Sequence, residues 1–182
     1  MGKLEDLMLE GMLTELKATL LYAEAEKRAT DEGYANVARM FKALSDAEKI
    51  HLNLFSRLYY GRDATEEDVE NLKGKVGFNV GTTKENLNVC AEVEDETKQY
   101  IDAANTAIEN GNPGAYVVFT QLAQVGESHA NACRNALKHV EKEEDMQPEK
   151  IYVCPTCGYI QVGEPPYRCP VCDEPGKNFI KY

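Results

Sequence analysis

The chain has 182 residues, about 43% of them apolar, enough to bury one fair-sized core and carry a small appendix. Its net charge of −11, from 31 acidic against 20 basic residues, argues against nucleic-acid and anionic-membrane partners, because phosphate binding needs a basic face. The opening Met1-Gly2-Lys3-Leu4-Glu5-Asp6 has acids in its first turn and no long apolar run, which predicts neither a signal peptide nor a spanning helix and a cytoplasmic protein.

Four amphipathic helical patterns with period 3.6 are predicted over residues 3–31, 34–60, 83–109 and 113–143. Gly33, Gly61 and Gly111 follow the first three, each suited to a left-handed cap, and Pro113 fits the first turn of the fourth. The long connection 61–82 holds a short helical piece, Glu66 to Lys73. Two helical hairpins joined by one long crossover make the ferritin-like bundle topology.

Some acids fall on the apolar stripes. Glu15 lies on the stripe of Leu4, Met8, Ala18, Tyr22 and Ala29 on the first helix. Glu48 and His51 share the stripe of Val37, Phe41, Leu44 and Phe55 on the second. Glu-x-x-His aims a carboxylate and an imidazole at one point, and a buried carboxylate costs several kcal/mol unless a cation is near. The two hairpins repeat: Gly33 to Phe41 and Gly111 to Phe119 are both eight residues, and Phe41 to His51 and Phe119 to His129 are both ten. The repeat breaks where Glu48 has Gly126 as its counterpart; the adjacent Glu127 lies about 100° around the helix and needs a bulge to turn inward. The third helix offers Glu92, Glu94, Asp95 and Glu96. Its apolar face, read through Leu87, Cys90, Thr97, Ile101, Ala104 and Ile108, favours Glu94.

The boundary 143–148 is charged and ends in Pro148, so residues 1–146 are predicted to form the bundle and 147–182 a separate small domain. That tail holds Cys154-Pro-Thr-Cys157-Gly158 and Cys169-Pro-Val-Cys172, with eleven residues between Cys157 and Cys169. Two such knuckles close a tetrahedron of thiolates around iron or zinc. Tyr152, Tyr159, Tyr167 and Phe179 are expected to pack around it. Cys90 and Cys133 read as lone residues in helical patterns, a usage that fits a reducing compartment.

Glu15, Glu48-x-x-His51, a third-helix acid, His129 and the two knuckles together resemble rubrerythrin over nearly the whole chain. The resemblance implies an all-α four-helix ferritin-like bundle with a small rubredoxin-like metal-knuckle domain. It further implies a carboxylate-bridged di-iron site in the bundle and a mononuclear iron on Cys154, Cys157, Cys169 and Cys172, thiolates that also accept zinc. Glu15, Glu48, His51, Glu94 and His129 match family ligands, and Tyr22 matches a tyrosine that would supply a hydrogen bond in catalysis. Family members reduce hydrogen peroxide to water with electrons entering through the tail iron, and a reductase or rubredoxin partner is implied because no dinucleotide motif is present. They work as homodimers in which one chain's tail approaches the other's di-iron site. The chain departs from the family pattern at Thr97 and Gly126, where carboxylates are expected. A second register, anchored at Gly111, matches Glu92-x-x-Asp95 and aligns Tyr100, but periodicity turns both acids toward solvent, and it is ranked second. The competing readings are an electron carrier on a degenerate, mononuclear bundle site, a zinc-stapled interaction module, and iron storage.

Overall fold

A computed structural model describes residues 2–92 and 94–182, with backbone alone for 94–97. Six helices run in order: α1 (Lys3–Asp31), α2 (Ala35–Tyr60), α3 (Glu66–Lys73), α4 (Thr83–Ala91), α5 (Glu94–Glu109) and α6 (Pro113–Val140). A sheet of β1 (Ile151–Val153), β2 (Ile160–Val162) and β3 (Ile180–Lys181) follows in the antiparallel order β2-β1-β3. This is the predicted ferritin-like bundle with a rubredoxin-like knuckle domain. The third predicted helix arrives as two elements, α4 and α5. Among the described residues no helix is long and apolar enough to cross a membrane.

Local chemistry sets the helix ends. Gly33, Gly61 and Gly111 adopt φ of 89°, 72° and 66°, a left-handed conformation that costs glycine nothing. Thr65 and Thr82 form reciprocal capping boxes with Asp68 and Glu85, and the Asn112 side chain accepts from the Ala115 N–H ahead of α6. The N-terminus of α2 is capped from far away in sequence: the Asp145 carboxylate accepts from the backbone N–H groups of Asn36 (2.8 Å) and Val37 (3.2 Å). The charged boundary segment is thereby tied to the bundle.

The core continues from bundle to tail. Ile151, Val153 and Ile160 pack in one cluster with Phe41, Leu44, Ala132 and Ala136. The Tyr182 hydroxyl donates to Asp46 on α2 at 3.0 Å. At the other end, Phe55, Phe119 and Tyr100 form an aromatic cluster with ring centroids 5.2–6.0 Å apart. The tip of the Phe55 ring presses on Gly11 of α1, where an added Cβ would stand 2.6 Å from the ring. Gly11→Ala is therefore expected to lower stability by about 1–3 kcal/mol through overpacking, measured as a shift of the denaturant midpoint.

Two sequence expectations are corrected by packing. Ile101 and Ile108, read as part of the buried stripe of the third helix, are 51% and 54% exposed, while Ala103, Ala104 and Ala107 face the core. Two isoleucines seven residues apart on an outer face imitate a core stripe, and that shifted the phase of the reading. Cys90 and Cys133, read as lone thiols, are joined in a disulfide that ties α4 to α6, with Cα atoms 6.0 Å apart. Their separation of 43 residues hid a proximity that only helix packing creates.

Candidate metal centre

Glu15 comes from the middle of α1, Glu48 and His51 from α2 and His129 from α6, and all four are buried to within 5% of full exclusion from solvent. Each sits on the inward stripe of its helix, among buried apolar residues such as Met8 and Met12 on α1, Leu44 and Leu52 on α2, and Val125 and Ala132 on α6. Glu48 is the hub: its Oε2 lies 2.7 Å from His51 Nδ1 and its Oε1 lies 3.0 Å from His129 Nδ1. Glu15 Oε2 lies 3.4 Å from the same His51 nitrogen. The two imidazole rings stack with centroids 5.4 Å apart and planes 12° apart, the spatial form of the repeat that relates α2 to α6.

The outer nitrogens of both rings meet the first cysteine knuckle. His51 Nε2 donates to the Cys157 carbonyl and His129 Nε2 to the Gly158 carbonyl, each at 2.9 Å. A carbonyl only accepts, so each Nε2 carries its hydrogen and a neutral ring must present the Nδ1 lone pair to the carboxylates. A neutral ring would therefore turn a lone pair toward carboxylate lone pairs at hydrogen-bond distance, so each Nδ1 calls for a cation there, either a proton that makes the ring an imidazolium or a metal. Orientation of a ligating histidine by a carbonyl on its other nitrogen is the usual support for a metal.

Protonation describes the same demand. Burial raises the Glu15 carboxyl to about 8, with the Glu48 charge adding to it. Burial opposes ionisation of Glu48 too, but the charges and hydrogen bonds of His51 and His129 hold it well below the usual carboxylate range. Burial on its own would lower His51, yet the Glu48 charge and the hydrogen bonds from Glu15 and Glu48 lift it to about 10. Two carboxylates and two imidazoles, hard oxygen with borderline nitrogen, suit iron.

Tyr100 was named from sequence only in the lower-ranked register, yet its hydroxyl donates to Glu15 Oε1. Of the third-helix acids, Glu92 is exposed, whereas the side chains of Glu94, Asp95 and Glu96, and with them the preferred ligand Glu94, lie outside the described residues. Tyr22 is buried, stacks on Phe41 with centroids 6.0 Å apart, and lines a cavity of about 170 Å³ together with Glu15, Glu48, His51, His129 and Tyr100. Glu127 is not turned inward: α6 is an uninterrupted α-helix, and the Glu127 carboxylate lies outside it, 3.2 Å from Arg134.

In the tail, the sulfurs of Cys154, Cys157, Cys169 and Cys172 all lie within 4.8 Å of one another. Sγ of Cys154 is 3.5 Å from that of Cys172, and Sγ of Cys157 is 3.6 Å from that of Cys169. The hydrogen bond from Cys157 pulls the Cys154 thiol down to about 5 and pushes Cys157 the opposite way, since neighbouring thiolates resist ionising together without a cation. The knuckles are alike: the Gly158 N–H donates to the Cys154 carbonyl and the Asp173 N–H to the Cys169 carbonyl, and both residues adopt positive φ, 76° and 65°. Tyr152, Tyr159 and Phe179 pack around the sulfurs as expected. Tyr167 does not: it is 92% exposed, because the turn between the knuckles carries it off the domain.

The knuckle contacts the site of its own chain, whereas the family resemblance implies an approach between two chains.

Comparison with known proteins agrees with this arrangement. Residues 6–137 match the Rubrerythrin family. Nigerythrin of Nitratidesulfovibrio vulgaris is 30% identical over 172 residues, covering 92% of this chain and 81% of that protein. Rubrerythrin of Porphyromonas gingivalis is 30% identical over 183 residues, covering 98% and 89%. The solved structure of fully reduced, all-ferrous nigerythrin superposes with a TM-score of 0.85 at 26% identity, covering 100% of this chain and 88% of that one. With a Glu/His site of the di-iron type inside a ferritin-like bundle and a four-cysteine iron site packed against it, the chain belongs to the rubrerythrin family.

Proposed function

We propose that this chain reduces hydrogen peroxide to water at a metal pair held by Glu15, Glu48, His51 and His129, with electrons supplied by an iron on Cys154, Cys157, Cys169 and Cys172. The observation that carries the reading is the pair of hydrogen bonds from His51 and His129 to the Cys157 and Gly158 carbonyls. They join the backbone of the first knuckle, at Cys157 and its neighbour Gly158, to two rings of the bundle site, a short bonded connection between the two centres.

The reaction H2O2 + 2 e− + 2 H+ → 2 H2O breaks one O–O bond and forms two O–H bonds. Iron held by Glu15, Glu48, His51 and His129 would supply the two electrons, and iron held by Cys154, Cys157, Cys169 and Cys172 would be the one-electron source that restores them. The chain's own residues do the rest. Glu48 spans both histidines and sets their separation. Tyr100 fixes one oxygen of Glu15, leaving the other directed at His51. Tyr22 lines the cavity and is assigned as the hydrogen-bond donor to the reacting oxygen. The cavity, at about 170 Å³, is well above the roughly 15 Å³ that one water-sized group needs, so a peroxide molecule fits. Cys172 is only half-buried and Tyr167 stands out beside the second knuckle, which offers the side where a reductase or rubredoxin would dock. The outward Ile101 and Ile108 support assembly as a homodimer, since paired apolar side chains on one helix face are commonly covered by a partner.

The test is stopped-flow mixing of the anaerobically reduced chain with peroxide. The reading requires reappearance of the oxidised thiolate-to-iron absorption at a rate that follows peroxide turnover. A tail that stays reduced while peroxide persists would leave the electron-carrier reading, which Gly126 favours by removing one expected ligand.

A further inference from the structure

The α2/α6 repeat leaves one place unfilled. Glu48, three residues before His51, contributes both carboxylate oxygens to the site, while three residues before His129 stands Gly126, which has no side chain. Its neighbour Glu127 is committed outside the helix to Arg134 and to Asn131, whose amide donates to it at 3.0 Å. Gly126 lines the 170 Å³ cavity, whose wall also includes Glu15, Glu48 and His129. A glycine within a helix costs about 1 kcal/mol against alanine, so the opening is retained against helix propensity.

From this geometry we infer that the chain binds a small external monocarboxylate, of the size of formate or acetate, in the Gly126 cavity, where it serves the metal pair as the carboxylate that α6 lacks. The inference rests on the di-iron reading proposed above.

Three features of the site fit such a ligand. More than ten times the volume of one water-sized group accommodates two oxygens and a carbon or two. The cavity reaches the surface, because the exposed Lys17 and Val89 belong to its wall, and the Lys17 ammonium gives the mouth a positive group that draws an anion inward. The same wall carries Glu15, Glu48, His51 and His129, the side chains that would hold the metal pair, so a carboxylate in the cavity shares one enclosed space with the metals it would serve. Glu15 and Glu48 repel an anion, and only divalent cations between them and the ligand reverse that repulsion. Binding is therefore metal-dependent, which separates it from adventitious adsorption to surface lysines.

The experiment is equilibrium dialysis of the full chain, loaded anaerobically with ferrous iron, against radiolabelled acetate, with iron per chain counted in the same samples. Expected is one saturable acetate per chain in the iron-loaded protein and none in the metal-free protein. Gly126→Glu, which supplies the carboxylate covalently, should bind acetate at least tenfold more weakly while holding iron at least as well. Gly126→Ala, which suits a helix and narrows the cavity by one methyl group, should be intermediate and guards against a misfolded glutamate variant. Acetate binding that is absent from protein holding a bundle metal pair, or unchanged in both variants, overturns the inference alone. A bundle that takes up no metal pair overturns the di-iron reading and the inference with it.

Discussion

Gly158→Ala should slow peroxide turnover about 10–100-fold while leaving the visible spectrum of the tail iron intact. At this position an added Cβ would stand 2.4 Å from His51 Nε2, 2.9 Å from His51 Cδ2 and 3.2 Å from the Ala47 carbonyl oxygen. The His51 ring cannot yield without breaking its 2.7 Å contact with Glu48, and the α2 backbone cannot yield without moving Phe41 and Leu44. The knuckle must therefore lift, and both carbonyl contacts to the histidines are lost. Groups that orient metal-bound histidines are typically worth 10–100-fold in affinity or activity. Left-handed backbone at φ 76° adds about 1–2 kcal/mol of strain for any residue with a Cβ. Asp173 separates the two effects, because it holds the matching place in the second knuckle at φ 65° while its side chain is exposed and paired with Arg168. Asp173→Gly should relieve strain there and leave the turnover rate unchanged. Rapid reoxidation kinetics on the two variants decide the matter: equal rates for wild type and Gly158→Ala would remove the carbonyl connection as the path between centres.

Glu48→Gln should strip the bundle of its metal while the tail keeps its own. The substitution preserves shape and removes one negative charge from the residue that contacts both histidines, at 2.7 Å and 3.0 Å. An amide offers one acceptor oxygen and an NH2 group that points donors at one of the two Nδ1 lone pairs, occupying the place a cation needs. Iron per chain is expected to fall from about three to about one, the sum of a metal pair and a four-thiolate iron reduced to the latter. Peroxide turnover should disappear with the pair. Metal analysis beside the visible spectrum reads both quantities at once, and a variant that retained its iron and its rate would show that Glu48 is a buried hydrogen-bonding residue and no ligand. The sign of the accompanying stability change in metal-free protein is also set. Glu48 stays ionised because the histidines hold it so, and its removal leaves His51 buried without its main counter-charge, which is destabilising.

Much of this molecule was legible from residue types at fixed spacing. The four cysteines announced their site because a knuckle needs only two residues between its sulfurs, and local sequence carries the whole geometry. Glu15, Glu48, His51 and His129 were found because an ionisable group on an apolar stripe is exceptional, and long regular helices preserve the phase of that stripe. The third helix was less legible for a physical reason: Leu87, Cys90 and Ala104 of the predicted stripe are buried, but Ile101 and Ile108 point outward, and periodicity counts them with the core.

The sequence by itself determined the helices, their glycine caps, the knuckles and the inward acids, because all of these depend on neighbours within a turn or two of chain. Only the tertiary structure decided that Cys90 meets Cys133, that Asp145 caps α2, that Tyr100 holds Glu15, and that the knuckle carbonyls of Cys157 and Gly158 settle on the two histidines. Each of those contacts joins residues at least 29 positions apart. It exists because packing whole helices and a sheet brings polar groups to points that no local pattern encodes.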